Sequence, residues 1–578
     1  MATRTRTALG RACLTGVLLL SLAGPSTGRL AQADGELLDL LAAELARSVE
    51  HFTGGETPLY YLAYEVTDQH QLTLAVHDGA AAAPARNGRR TLDVDLRVGA
   101  LDLDNTHEIR GGSWRDNFSA RRQVAFPLEN DPSAVRAALW NETEYHFRKA
   151  QERYTKVLTN RQVKVAEEDQ SADFSTGQAL AFSEPSARSA IDEARWSALL
   201  NRVADHFTQF PFVQQSDVSL TVTDQNVFLV NNEGSRLQHD HHYLRLRMNI
   251  NGMAADGMRL DRTQGYDAAS EENLPSAEKV LADAERLVGE LRALIDAPIV
   301  EPYIGPAILM NRASGVFFHE IFGHRIEGHR QKSESEGQTF TKKVGQPILP
   351  TFISVYDDPT LAQFKGVDLR GHYRFDDEGT PAQRVTVVEN GILRNFLTTR
   401  SPIENFPFSN GHGRREPGND IVGRQGNLIV QSTISVPFPE LRRALVDECL
   451  RQGKPYGLVF EDISGGFTMT GRGGPQAFKV NPLYVYRVYA DGRPDEVVRG
   501  VDIVGTPLTS FSKIILTATD DAVFNGTCGA ESGWVPVSAI SPSILVSEIE
   551  VEKRAKGQDK PPILPPPGHE DAWGEIER

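Results

Sequence analysis

Hydrophobic and polar positions along the chain fall into two periods. At 36–52 (ELLDLLAAELARSVEHF), 132–167, 187–207 and 277–294 apolar residues recur every three or four positions, which predicts amphipathic helices. Runs at 59–66, 72–76, 92–98, 218–222, 227–230 and 243–250 carry the strand signature instead, and Asn232-Glu233-Gly234 supplies a turn between two of them. The proline-bearing stretch DAPIVEPYIGP reads as a domain boundary. Beyond it, one helix around 316–330 precedes short strands at 351–355, 384–389, 393–397, 427–431 and 483–489. The pattern predicts an α+β fold: a mixed helix and antiparallel-sheet domain over 34–299, then a largely β domain over 300–555 with a helix at its start. No internal repeat is visible.

The two ends read differently. Arg4, Arg6 and Arg11 precede a short apolar run at 12–24, and Ala31-Gln32-Ala33 offers a small-x-small cleavage site, so 1–33 reads as a secretory signal peptide. The run is well short of the roughly 20 apolar residues that span a bilayer. Export to the periplasm or beyond is therefore expected, with a mature N-terminus near Asp34 and no stable membrane insertion. Residues 556–578 form a tail rich in proline and charge.

Composition adds two constraints. At 40% hydrophobic and 24% charged residues the chain is globular in kind, and loss of a leader holding four arginines and no acid takes the formal charge from -16 to -20. That field repels nucleic acid. Cys13 lies in the leader, leaving Cys449 and Cys528, too few for a disulfide scaffold. Leu441, Leu445 and Cys449 share one helical face, so Cys449 reads as core. Cys528, in FNGTCGAESGW, reads as an exposed thiol in a glycine-bounded turn, able to react or to ligate.

The candidate chemistry lies in VFFHEIFGHRIEGHR, 316–330. Five residues advance a regular helix by about 500°, which leaves His319 and His324 about 140° apart, against about 40° at the i, i+4 spacing of the familiar zinc protease motif. Both can face one metal if the helix carries a one-residue bulge or ends between them, and Gly323 tolerates either. A third ligand must come from elsewhere, with Glu327, His329 and Cys528 as candidates. Glu320, next to a ligand, is placed to take a proton from water. Glu327 either orients His324 or is a solvated charge. Of His239, Asp240, His241 and His242, only His239 and His241 share a strand face, which reads as a polar face and not as a metal cluster. His412, in a glycine-flanked loop, either meets substrate or faces solvent.

HEIFGHRIEG resembles the HExxGHxxEG signature of the TldD/PmbA metallopeptidases. The likeness continues through Asp357-Asp358-Pro359, Phe375-Asp376-Asp377-Glu378-Gly379, Glu389-Asn390-Gly391-Ile392-Leu393, Asn410-Gly411-His412-Gly413-Arg414-Arg415, Gly465-Gly466 and Gly526-Thr527-Cys528-Gly529. The resemblance implies an α+β fold, Zn2+ held by His319, His324 and Cys528, Glu320 as catalytic base, and cleavage of unfolded or extended peptides within a homodimer or a heterodimer with a metal-less paralogue. Two rival functions are a non-catalytic zinc or peptide-binding module and a thiol hydrolase with Cys528 as nucleophile.

Overall fold

One face of the N-terminal sheet is apolar and the other polar, and that division arranges the whole molecule. The computed structural model describes residues 25–112, 123–163, 167–473, 478–505 and 507–554. Most of the expected leader and the tail at 556–578 lie outside the described residues. Five long antiparallel strands build the sheet, Ala85–Ala100, Leu59–His77, Gln215–Asn231, Arg236–Met253 and Arg259–Ala268, paired in that order. Residues of even number, such as Leu62, Tyr64, Leu74, Leu220 and Leu246, are buried beneath helices Pro25–Phe52, Pro132–Val163, Glu193–Phe207 and Ala277–Asp296. Odd-numbered residues turn to the C-terminal half, where Glu65 meets Arg415 at 3.2 Å, Tyr61 meets Arg400 at 3.2 Å, and Arg245 reaches the Asn525 carbonyl at 3.4 Å. The period of two is the physical cause.

Two of these strands are longer than the hydrophobic pattern predicts. Leu59–His77 absorbs both 59–66 and 72–76, and Gln215–Asn231 absorbs both 218–222 and 227–230. The polar stretches between the apolar runs stay paired, and Thr67, Asp68, Thr223 and Asp224 are buried there. The Asn232 to Gly234 turn does join two strands, with Gly234 at φ +100°.

The C-terminal half is built on two sheets. In the larger, Tyr303–Leu309, Tyr456–Thr468, Phe478–Tyr489, Val501–Gly505 and Ile544–Lys553 follow one another, and the first also pairs with the last, so the five close on themselves. The six-stranded sheet runs from Ile392–Leu393 through Val385–Glu389, Ile353–Asp357, Asn427–Ser432 and Gly533–Ser541 to Ala522–Ala530 at its edge. Helix Asn311–Ile321 lies between them, with Phe317 and Phe318 packed on Phe511 in the main core. The class is α+β. Helix Phe438–Gln452 ends at Gly453 in the left-handed conformation and buries Cys449 with Leu441 and Leu445. Among the described residues no helix is long and apolar enough to cross a membrane.

Candidate metal centre

Helix Asn311–Ile321 is buried from Ala313 to Ile321 and brings His319 and Glu320 to its last turn. Regular winding stops at Phe322, and a 3-10 turn, Gly323–Arg325, carries His324. The helix thus ends between the two histidines, the second of the two ways in which an i, i+5 pair can converge, and their ring centroids lie 5.3 Å apart. Gly323 is needed for a different reason from its backbone freedom. A Cβ there would sit 1.9 Å from Gln425 Oε1, and Gln425 also approaches the carbonyl of His319, Nε2 to O 3.4 Å.

Cys528 supplies the third group, from a place the sequence did not suggest. It lies within strand Ala522–Ala530, opposite Val535 and buried with Val535 and Val537, and not in an exposed turn. Two factors hide that strand in the sequence: Gly526 and Gly529 lower its β propensity, and Gly529 is there because Trp534 packs where its Cβ would be, 2.8 Å away. Cys528 Sγ is 3.4 Å from His324 Nε2, and one donor atom from each of His319, His324 and Cys528 lies within 4.8 Å of the others. His329 points elsewhere, to Glu531, in a separate group with Glu327.

The charges around the trio are set by burial and by one another. Burial disfavours the Cys528 thiolate, but the positive fields of His324, His319 and Arg424 outweigh it and hold the thiol well below its ordinary value. Burial likewise opposes a charge on His324, yet Cys528 and Glu327 raise it well above the usual imidazole range, and Cys528 raises His319. His324 Nδ1 faces Glu327 Oε1 at 3.1 Å. Glu327 is wholly buried, and His324 and Arg330 overcome that burial to hold it down to about 2. It therefore orients His324 and is not a solvated charge.

The donor set fits a metal. Two imidazoles and a thiolate are ligands that zinc takes. His319 Nδ1 is buried with no hydrogen-bond partner, a cost that a bound cation would remove. Glu320 stands beside the trio, Oε2 4.0 Å from His324 Nε2, and Gly466 leaves room for it, since a Cβ there would lie 3.2 Å from Glu320 Cγ. His319 and Glu320 line a cavity of about 620 Å³ with Arg245, Asp462, Phe524 and Thr527.

The remaining histidines are placed as follows. His412 is fully buried between Asn410 and Asp357, Nε2 to Asp357 Oδ1 3.2 Å, so it holds a loop and does not face solvent. His239 and His241 share a face, while His242 pairs with Asp224 and Asp240 at 2.8 Å each. Sequence reasoning missed Arg424, which donates to the Cys528 carbonyl at 2.8 Å with its Nε 3.6 Å from Glu327 Oε1, and Arg330, which binds Glu327 at 2.8 Å. No motif marks either arginine.

Residues 303–553 match the family model described as the PmbA/TldA metallopeptidase C-terminal domain. A metalloprotease of Archaeoglobus fulgidus is 28% identical over 45% of this chain and 56% of its own length. A zinc metalloprotease TldD homolog of Saccharolobus solfataricus is 23% identical over 47% of the chain and 56% of its own. The chain thus spans a little over half the length of these curated relatives. The crystal structure of TldE from Thermococcus kodakarensis shares the fold, with TM-score 0.57 and 14% identity over 89% of this chain and all of that one (100%).

Proposed function

This chain belongs to the TldD/PmbA family, and from that premise we propose that it is an exported, zinc-dependent peptidase of the HExxxH type that hydrolyses unfolded or extended peptides. The observation that carries the reading is the meeting of His319, His324 and Cys528, with His319 and its neighbour Glu320 on the wall of one cavity. His319, His324 and Cys528 would hold the ion. Zinc, when bound, supplies polarisation of the scissile carbonyl and acidification of water.

The chain's own residues do the rest. Glu320 accepts the proton of the attacking water and returns it to the amine nitrogen of the leaving peptide, a base and acid role that its position on the cavity wall permits. Glu327 fixes the ring of His324 so that Nε2 turns toward Cys528. The cavity accepts a few residues of an extended chain and excludes a folded domain. Export follows from the leader at 1–33, and the assembly is a homodimer or a heterodimer with a metal-less paralogue.

The thiol hydrolase reading has one point in its favour, the contact between Cys528 and His324. It is weakened because Cys528 is not among the residues lining the cavity that reaches Glu320. Metal content and chelator sensitivity, measured together on a peptide library, test the proposal. Zinc that co-purifies, with cleavage that chelators abolish and zinc restores, supports it; cleavage indifferent to chelators contradicts it.

A further inference from the structure

A second cavity, of about 600 Å³, opens on the polar face of the N-terminal sheet. It shares Asp267, Asn273, Asp368 and Thr527 with the cavity that reaches Glu320, so the two adjoin, and Thr527 immediately precedes Cys528.

Two buried arginines line this second cavity, one sharing its carboxylate with a second arginine and the other paired with none among the described residues. Arg370, 7% exposed, donates Nη1 to Thr527 Oγ1 at 3.0 Å and lies 4.8 Å above the ring of Tyr243. Its neighbour Asp267, at 3.6 Å, is taken by Arg245 through two hydrogen bonds of 2.7 and 3.0 Å, and Arg370 Nε has no hydrogen-bond partner. Arg414 donates to the carbonyls of Gln425 and Pro536 and stacks on Tyr373, and among the described residues no carboxylate pairs with it. The other acids on the wall are engaged: Asp368 accepts from Ala269 N, Asn273 and Gln363, Asp240 pairs with His242, Glu416 accepts from Trp534 N, and Asp377 accepts from Arg415 N, where the charges of Arg415 and then Arg414 act on it. Burial, and then the charges of His372, Arg414 and Arg370, push His241 on this wall down to about 3, so it is neutral and leaves the positive charge of the wall to the arginines.

We propose that Arg370 and Arg414 form a subsite that binds a carboxylate of the peptide substrate, adjoining the zinc residues through Thr527. Two guanidiniums that share one carboxylate, and a third with none paired to it, leave the buried wall with unbalanced positive charge, and a carboxylate answers guanidinium geometry with paired, charge-assisted hydrogen bonds. The carboxylate comes from an acidic side chain or from the peptide's own C-terminus. The proposal names the substrate class of the peptidase reading and rests on it.

The test measures affinity apart from turnover. Four alanine-based hexapeptides, with Glu or Gln at one position and a free or an amidated C-terminus, are titrated into the full zinc-loaded chain carrying Glu320→Gln. At least one carboxylate source should tighten binding about 10-fold or more, as hydrogen bonds to charged groups do. That advantage should vanish in both Arg370→Gln and Arg414→Gln, each checked for retained zinc. An advantage that follows Glu identifies a side-chain carboxylate; one that follows the free terminus identifies the C-terminus. Equal affinity for all four peptides overturns the subsite, as does an advantage that survives both substitutions. If the parent chain cleaves no peptide while the binding preference stands, the peptidase reading falls and the subsite does not.

Discussion

Glu327 and His324 form a wholly buried pair, Oε1 to Nδ1 3.1 Å, and Arg330 closes the other side of the carboxylate at 2.8 Å. Replacing Glu327 by Gln keeps the shape but strips the charge that holds the ring and balances Arg330. Zinc affinity should fall about 10- to 100-fold, as it does when a ligand loses its outer partner. Competition with a chromogenic chelator measures this, and unchanged affinity would mean that Glu327 does not orient the ligand.

The turn between the histidines leaves no room for a methyl group. Gly323→Ala places a Cβ against Gln425 Oε1, where the gap is 1.9 Å, so Gln425 must leave His319 or the turn must shift. We expect a loss of about 1–3 kcal/mol in stability, typical of overpacking, together with weaker metal binding. Adding Gln425→Ala should restore part of both. Denaturant melts of the single and double variants decide the matter; a double variant no better than the single would refute the steric account.

The two thiols should separate cleanly. Cys528→Ala removes one of three donors, so metal affinity drops. Cys449 is core, its thiol pushed up to about 11 by burial, and Cys449→Ala should cost stability while zinc content stays at the parental level. Elemental analysis of both variants is the check, and a Cys528→Ala protein that keeps its zinc would send the search for the third donor back to the neighbours of His319. No disulfide links the two free cysteines.

A pH effect on stability belongs to His242. Hydrogen bonds with Asp224 and then Asp240 raise it to about 9, against about 6.5 in an unfolded chain. Its stabilising contribution is therefore complete below about pH 6.5 and is lost as pH rises through about 9. The slope in between is at most about 1.4 kcal/mol per pH unit and is reduced by solvent screening. Denaturant midpoints at pH 6 and pH 9.5 should differ more in the parent chain than in His242→Gln. Equal differences would remove His242 from the account.

How much of this was legible in the sequence depended on whether a local pattern carried it. His319, Glu320 and His324 stand within six residues, so spacing alone raised the metal reading. Cys528 was one of three candidates for the third ligand and the family resemblance singled it out, but its surroundings misled about its place: Gly526, which packs on Phe524, and Gly529, which packs on Trp534, looked like a turn. Strand Tyr456–Thr468 was missed for a similar reason, since Gly465 and Gly466 break its pattern while Gly466 makes room for Glu320. The strands around Thr67 and Thr223 read as broken because their polar residues are buried, which the apolar period does not reveal. Arg424 acts across the fold on the Cys528 carbonyl, where sequence spacing is silent, while Arg330 pairs with Glu327 only three residues away and also reaches Glu531 across the fold.

The central claim is that Glu320 performs the proton transfer without holding the metal. Glu320→Gln retains size and hydrogen-bonding reach but removes the base. Zinc content and melting temperature should match the parent, while kcat/KM on a peptide that the parent cleaves falls about 10²- to 10⁴-fold, the share that general base catalysis supplies. A Glu320→Gln chain that holds its zinc and cleaves that peptide as fast as the parent would contradict the account.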